Sequence, residues 1–346
     1  MHSAEEDVSV ARWRKKAIDE SVRQIYGAER KLARMERVIR STGSPGFLLP
    51  PADYRRVHRV AVALGSSGEV MFAQGDFGKG FVHVLDDRSL GTVMGELDTV
   101  SDFVSYLSSK EALVTSGEMS IVSAGEEELL AIYLHAGRKF PTGADVLMVE
   151  PGAWGELISK AEWQRRKEAD QSSYVWDKLI EGVARDVLGP GLESGEPDQA
   201  ERVTRIMARE TRFSRRVIAE AFNEFMRLAA QKRVRARWIP SRSGVVYVFL
   251  AAARNEPREL RMKELGLRCF VARSLLPEYA PVVGLATERY VRGQGYSLDT
   301  CLIDMPIWTE KDQAIADGIK KELGYFREPL YSRVSHDEYP VAAAEP

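Results

Sequence analysis

The stretch from Leu188 to Asp198, LGPGLESGEPD, packs glycine, proline and acidic residues between two amphipathic helical patterns and has no apolar period of its own. It predicts a chain of two domains, residues 1–190 and 198–346, which also suits a length of 346 residues. Charge supports the division. Residues 1–199 carry 24 basic and 32 acidic side chains and residues 200–346 carry 25 and 19, so a formal net charge of -2 hides one acidic and one basic half. Within the first half, ten Lys/Arg against four Asp/Glu over residues 12–40 form a basic helix ahead of a strongly acidic body.

Apolar residues make up 44% of the chain, enough to build cores, which excludes a disordered tail or a collagen-like repeat. Cys269 and Cys301 are the two cysteines; far apart and outside any CxxC pair, they predict buried reduced thiols and exclude a zinc ribbon or a disulfide scaffold. Met1–Val10 is polar and acidic, unlike a secretory leader, and the longest apolar run, Val245–Ala253, falls well short of the ~20 residues that cross a bilayer. The expectation is a cytoplasmic protein with no membrane partner.

Ile18, Val22, Ile25, Leu32, Met35 and Ile39 fall on one helical stripe that Ser41–Pro45 ends. Strands are predicted at Arg59–Leu64, Glu69–Ala73 and Gly80–Leu85, and helices from Ser89 and Ser101. Glu126–His135 reads as helix or strand, Asp145–Val149 as a strand, and Glu156–Lys167 and Ser172–Val187 as helices. The second half opens on a long helix, Asp198–Lys232, then a hairpin about Ser241–Gly244, a helix at Pro257–Gly266, strands at Arg268–Ala272 and Pro281–Thr287, and a helix at Glu310–Gly324. The predicted class is α/β or α+β, with two mixed α and β domains.

No complete phosphate loop is present: Gly75, Gly78 and Gly80 cluster between strands, where turn formation suits them better than anion binding. The five histidines His2, His58, His83, His135 and His336 are isolated in sequence, which argues against a histidine metal site, and no GxSxG elbow supports acyl transfer. Carboxylates remain. Asp76, Asp86 and Asp87 stand at predicted strand ends, where hard oxygen ligands could hold Mg²⁺, Asp76 and Asp86 as metal ligands and all three as catalytic candidates of a metal-dependent nuclease. Asp86, Asp87 and Asp98 suit helix caps better than metal ligands, and no Glu-x-Lys or Gln-x-Lys strand completes a nuclease set.

The segments His83–Asp87 (HVLDD), Glu96–Thr99 (ELDT) and Ser101–Leu107 (SDFVSYL) with Lys110-Glu111, preceded by Gly27–Arg30, resemble a group of uncharacterised bacterial proteins. The resemblance implies a restriction-endonuclease-like fold or a role in phage-defence and mobile-element loci; it assigns no catalytic residue.

Arg202, Arg205, Arg209, Arg212 and Arg216 step by three and four, which on one unbroken helix makes a cationic ridge suited to nucleic-acid backbone. The same residues suit a solvated helix face opposite Val203, Ile206, Phe213, Val217, Phe222 and Phe225, or pairing with the acidic body or an acidic partner. Trp154, Trp163, Trp176 and Trp308 serve either as base-stacking groups or as core anchors, and Glu288 with Asp299 forms a candidate polar site at the end of the last strands. The reading is a nucleic-acid-acting protein, a Mg-dependent nuclease; the alternative is a non-enzymatic assembly protein that binds itself or another protein through oppositely charged domains.

Overall fold

The computed structural model describes residues 12–39, 43, 45–65, 74–117, 120–123, 125–143, 145–188, 197–291, 293, 295, 297–326 and 336–340. They form two compact units that divide between Gln164 and Arg165. The expected boundary near residue 190 falls in a stretch, 189–196, outside the described residues. Residues 165–188 belong to the second unit because Trp176, Leu179 and Val183 share a core with Tyr247 and Phe249. Helices and mixed sheets occur in both units, as the predicted α/β or α+β class requires.

In the first unit a π-helical turn, Lys15–Asp19, leads into helix α1 (Glu20–Arg34). α1 stops at Arg34 rather than running on to Ile39, because Met35 is extended and Arg55 donates to the end carbonyls of Leu32 and Met35. Strands β1 (Arg37–Ile39) and β2 (Pro45–Leu48) then pair antiparallel. A second sheet has the order β3 (Arg59–Val62), β5 (Phe81–Leu85), β4 (Gly75–Asp76), with β3 and β5 parallel. The predicted strand at 69–73 lies outside the described residues.

Strand β5 is buried throughout, and its alternation sorts it between two faces. Val82 and Val84 pack with Ile18, Val22 and Tyr26 from the α1 side, so His83 points to the opposite face. There stand α2 (Asp87–Glu96) and α3 (Val100–Thr115), the latter started by Thr99, whose hydroxyl accepts from Asp102 N. β6 (Ser120–Ser123), α4 (Glu126–His135), β7 (Val146–Val149), α5 (Ala153–Ser159) and α6 (Ala161–Asp170) complete this part of the chain, with β6 and β7 parallel and the unit boundary inside α6. Glu126–His135 is therefore a helix.

The second unit is a four-stranded sheet between helices. α7 (Tyr174–Leu188), α8 (Pro197–Ala208) and α9 (Arg212–Ala230) precede β8 (Ala236–Pro240) and β9 (Val246–Ala252); α10 (Arg258–Leu275), β10 (Val282–Glu288), β11 (Leu298–Ile303) and α11 (Glu310–Leu323) follow. The sheet order is β11-β10-β9-β8, with β9 and β10 parallel across α10. Tyr247, Phe249, Val283 and Leu285 face Trp176, Leu179, Phe222 and Phe225, while Val246, Val248, Val282 and Ala286 face α10.

Two sequence expectations fail here for visible reasons. Residues 268–272 are helical, because Leu265, Cys269 and Ala272 lie at helical spacing against the sheet. The long helix over 198–232 is broken at 209–211: Thr211 is extended and its hydroxyl accepts from Ser214 N, which starts a new helix. Among the described residues no helix is long and apolar enough to cross a membrane.

Candidate metal centre

The structure gives the carboxylates chosen from sequence other tasks. Asp76 Oδ1 accepts from Gly78 N at 2.7 Å and Gly80 N at 2.9 Å, closing a turn in which both glycines have positive φ. The glycine cluster is thus a turn whose N–H groups already have an anion. Asp86 caps α2 in a reciprocal pair with Ser89, and Asp87 is exposed in the first turn of that helix. Asp76 is registered with Phe81 and Asp86 follows Leu85, so the two stand at opposite ends of β5, about 16 Å apart along the strand. They do not form a shared metal site, and the expected Asp76/Asp86 magnesium pair is corrected on that ground.

The arginine ridge also dissolves. With the helix broken, Arg202 and Arg205 lie on α8, paired with Asp304 and Glu201, and Arg209 is in the turn. Arg212 and Arg216 are buried on α9: Arg212 Nη1 donates to Asp177 Oδ2 at 2.7 Å and to Ser173 Oγ at 2.9 Å, and Arg216 Nη1 to Asp170 Oδ1 at 3.1 Å. These two guanidinium groups hold α9 to acidic residues of the same unit and present no continuous surface to a nucleic acid. These tryptophans are packing groups: Trp154 and Trp163 lie against the first unit's core, Trp176 is buried in the second, and Trp308 packs tilted against Phe270 with ring centroids 5.0 Å apart. Glu288 and Asp299 do come together, through Arg261, which donates from Nη1 to Glu288 Oε1 at 2.7 Å and from Nε to Asp299 Oδ2 at 2.5 Å. Cys269 and Cys301 are not joined by a disulfide.

What the first unit assembles instead is a pair of histidines with a glutamate. His58 immediately precedes β3, His83 is the central residue of β5, and Glu111 lies on α3; one donor atom from each falls within 4.8 Å of the others. The parallel register of β3 with β5 sets Val60 beside His83, which brings the residue preceding β3 to the same end of the sheet, and α3 crosses the face to which His83 points.

The polar bonding around these rings is specific. Ser108 Oγ donates to Val104 O at 2.8 Å and lies 3.3 Å from His58 Nε2; with its proton used in that way, the hydroxyl accepts from the tautomer of His58 that carries hydrogen on Nε2. In that neutral tautomer the lone pair is on His58 Nδ1, which is 3.6 Å from Glu111 Oε2. That separation is too long for a hydrogen bond and close to the ~3.4 Å edge of a tetrahedron with bonds of about 2.1 Å to a metal. His58 Nδ1 has no hydrogen-bond partner, and neither ring nitrogen of the fully buried His83 has one. An imidazole in this state is costly unless something binds it.

Burial favours the neutral form of both rings. Burial, reinforced by the charge of Lys110, holds His83 down to about 3. Burial and Arg56 lower His58, against an opposing pull from Glu111. Neutral imidazole is the ligating form. Lys110, itself fully buried, donates to Glu126 Oε1 at 2.6 Å, and Tyr106 OH donates to the same oxygen at 2.8 Å, so that charge is matched beside the site.

Sequence reasoning missed this centre because its donors are 25 and 28 residues apart and belong to three elements. One signal was present: a histidine at the centre of the apolar strand FVHVL, which alternation places inward. Scans of protein-family models, of curated proteins and of solved structures each returned no match to this chain.

Proposed function

We propose that the first unit binds one divalent transition-metal ion of the zinc class through His58, His83 and Glu111, and that the unit is a metal-dependent hydrolase acting on phosphoesters. The observation that carries the proposal is a convergence of donor atoms: His58 Nδ1 lies 3.6 Å from Glu111 Oε2, neither it nor either ring nitrogen of the buried His83 has a hydrogen-bond partner, and Ser108 Oγ lies 3.3 Å from the outer nitrogen of His58. A hydrogen bond on the outer nitrogen is how ligating histidines are held in one tautomer and one orientation. Two imidazoles and a carboxylate are the donor set of catalytic zinc sites, which keep a fourth position for water.

His83 closes the inner side of the cluster, and the Glu111 side chain, 33% exposed, reaches the outer side. A bound ion supplies a Lewis acid and brings the pKa of its water toward neutrality. Arg56, exposed two residues before His58, adds positive charge on the outer side and favours an anionic substrate. Hydrolysis adds the water oxygen to phosphorus, breaks the ester P–O bond and passes the proton to the leaving oxygen. Nucleic acid belongs to this substrate class, so the nuclease reading is kept on a different donor set from the one the sequence suggested.

Equilibrium dialysis of the full chain against zinc, read by elemental analysis, is expected to give one ion per chain, lost in Glu111→Gln and in His83→Asn and retained in Asp86→Ala. Hydrolysis of bis(p-nitrophenyl) phosphate should follow the zinc. Absence of stoichiometric metal, or its retention in both ligand variants, overturns the site. Bound zinc without hydrolysis of this ester overturns the hydrolase reading and leaves the site standing.

A further inference from the structure

The second unit contains a cavity of about 500 Å³ on the α7/α9 face of its sheet, within the size range of small-molecule sites. Its wall is apolar: Leu179 from α7, Phe222 and Met226 from α9, and Leu298 from β11. It lies where β9 and β10 end, bounded by Arg254 after β9 and by Thr287, Glu288 and Tyr290 at the end of β10. The space outside the carboxyl ends of parallel strands is where open α/β sheets bind ligands.

Two features give the cavity a chemical preference. The first is Thr287, 4% exposed, a residue of the cavity lining whose Oγ1 is buried and has no hydrogen-bond partner. A buried hydroxyl without a partner is costly, and a ligand atom that accepts its proton removes the cost. The second is charge. Lys178 on α7, Arg227 on α9 and Arg254 are exposed residues of the lining. The one carboxylate among the described residues of the lining, Glu288, is already committed: its oxygens accept from Arg261 Nη1, Ser297 Oγ and Ser297 N.

We propose that this cavity binds a small amphipathic anion, a medium-chain carboxylate, with its chain against Leu179, Phe222 and Met226 and its carboxylate accepting from the Thr287 hydroxyl amid Lys178, Arg227 and Arg254. The site is independent of the metal centre, being built entirely within the second unit.

Isothermal titration of the full chain with decanoate, kept below its micellar range, tests the site, with 1-decanol and decyltrimethylammonium as neutral and cationic comparisons. Decanoate is expected to bind one per chain and more tightly than either comparison. Thr287→Val should weaken it about tenfold and Thr287→Ser restore it, because the serine keeps the hydroxyl. Lys178→Glu combined with Arg227→Glu, both at exposed positions that leave the core untouched, should weaken decanoate about tenfold while 1-decanol is unchanged. Absence of saturable decanoate binding overturns the proposal, as does equal or tighter binding of the cation. Indifference of decanoate affinity to Thr287→Val and to the charge reversals together also overturns it.

Discussion

The His83 ring stands 6.2 Å from that of His58, centroid to centroid, and is fully buried with both of its nitrogens unpartnered. In the absence of an ion this arrangement lowers the stability of the first unit. His83→Leu is therefore expected to raise the stability of the metal-free chain by about 1 kcal/mol, the sign expected when an unsatisfied buried polar group is replaced by an apolar one. The same variant should lose the zinc-induced rise in Tm, which for the unsubstituted chain corresponds to about 2.7 kcal/mol at a hundredfold excess over Kd. Calorimetric melting with zinc and with chelator measures both; destabilisation of the metal-free chain contradicts the first expectation.

Acid should weaken the second unit through Glu288. Burial alone raises its carboxyl, but hydrogen bonds from Ser297 and Arg261 reverse this and hold it at about 2, below the ordinary 4.5. A depressed carboxylate stabilises the fold fully above its unfolded pKa, and that contribution disappears as pH falls through the folded one. The loss is thus expected between about pH 4.5 and pH 2, on the order of 3 kcal/mol in all. Denaturant melts across that window should slope less in Glu288→Gln; an unchanged slope would exclude this carboxylate as the cause.

Glu210 is fully buried in the turn between α8 and α9 and accepts from Ser241 Oγ at 2.7 Å, Ser243 Oγ at 2.6 Å and Tyr247 OH at 2.9 Å. It ties that turn to the β8–β9 hairpin. Glu210→Ala removes the shared acceptor of three hydroxyls, two of them on the buried Ser241 and Tyr247, and is expected to cost about 3 kcal/mol. Tyr247→Phe removes a single donor and should cost about 1 kcal/mol. Urea unfolding of the two variants gives the comparison, and equal losses would contradict the network.

Gly284 sits in β10 under α10, where an added Cβ would lie 2.5 Å from Cys269 Sγ and 2.8 Å from Leu265 Cδ1. Helix and sheet approach this closely because no side chain intervenes. Gly284→Ala should destabilise by about 1–3 kcal/mol through overpacking, and Cys269→Ala in the same chain should recover part of that loss. Thermal melts of the single and double variants decide it; independent, additive effects would show that the two positions do not press on each other.

Arg216 binds Asp170 and donates from Nη2 to the carbonyls of Asp337 at 2.7 Å and Glu338 at 3.0 Å. Arg216→Ala removes from the buried Asp170 carboxylate its hydrogen-bonded guanidinium and from two carbonyls their donor, and is expected to cost about 3–5 kcal/mol. A change on a solvated ridge would cost almost nothing, so the magnitude itself separates a fastening role from a surface one.

Several features of this fold are local and were legible from residue order. The helix from Glu20, the strand Phe81–Leu85, the apolar strand Val246–Ala252 and the helix from Glu310 all follow from periodicity and local residue chemistry, which act over a few residues. Asp86 as a helix cap was legible for the same reason, since the partner that satisfies it is three residues away. The mixed α and β class follows from the same local patterns.

What only the tertiary structure decided involves partners distant along the chain. The five arginines between 202 and 216 share a helical spacing, yet whether that spacing makes a ridge depended on Thr211 breaking the helix and on Asp170 and Asp177 drawing Arg216 and Arg212 inward. The strand reading of 268–272 failed because a short apolar run fits a buried helix as well as a strand, and packing against β10 chose between them. The metal centre belongs to the same class. His58, His83 and Glu111 are unremarkable in sequence and become a donor set only when β3 pairs with β5 and α3 covers the face to which His83 points. Sequence determines each residue's local conformation through short-range sterics and hydrogen bonds, whereas a site is a coincidence in space set by strand register and helix packing.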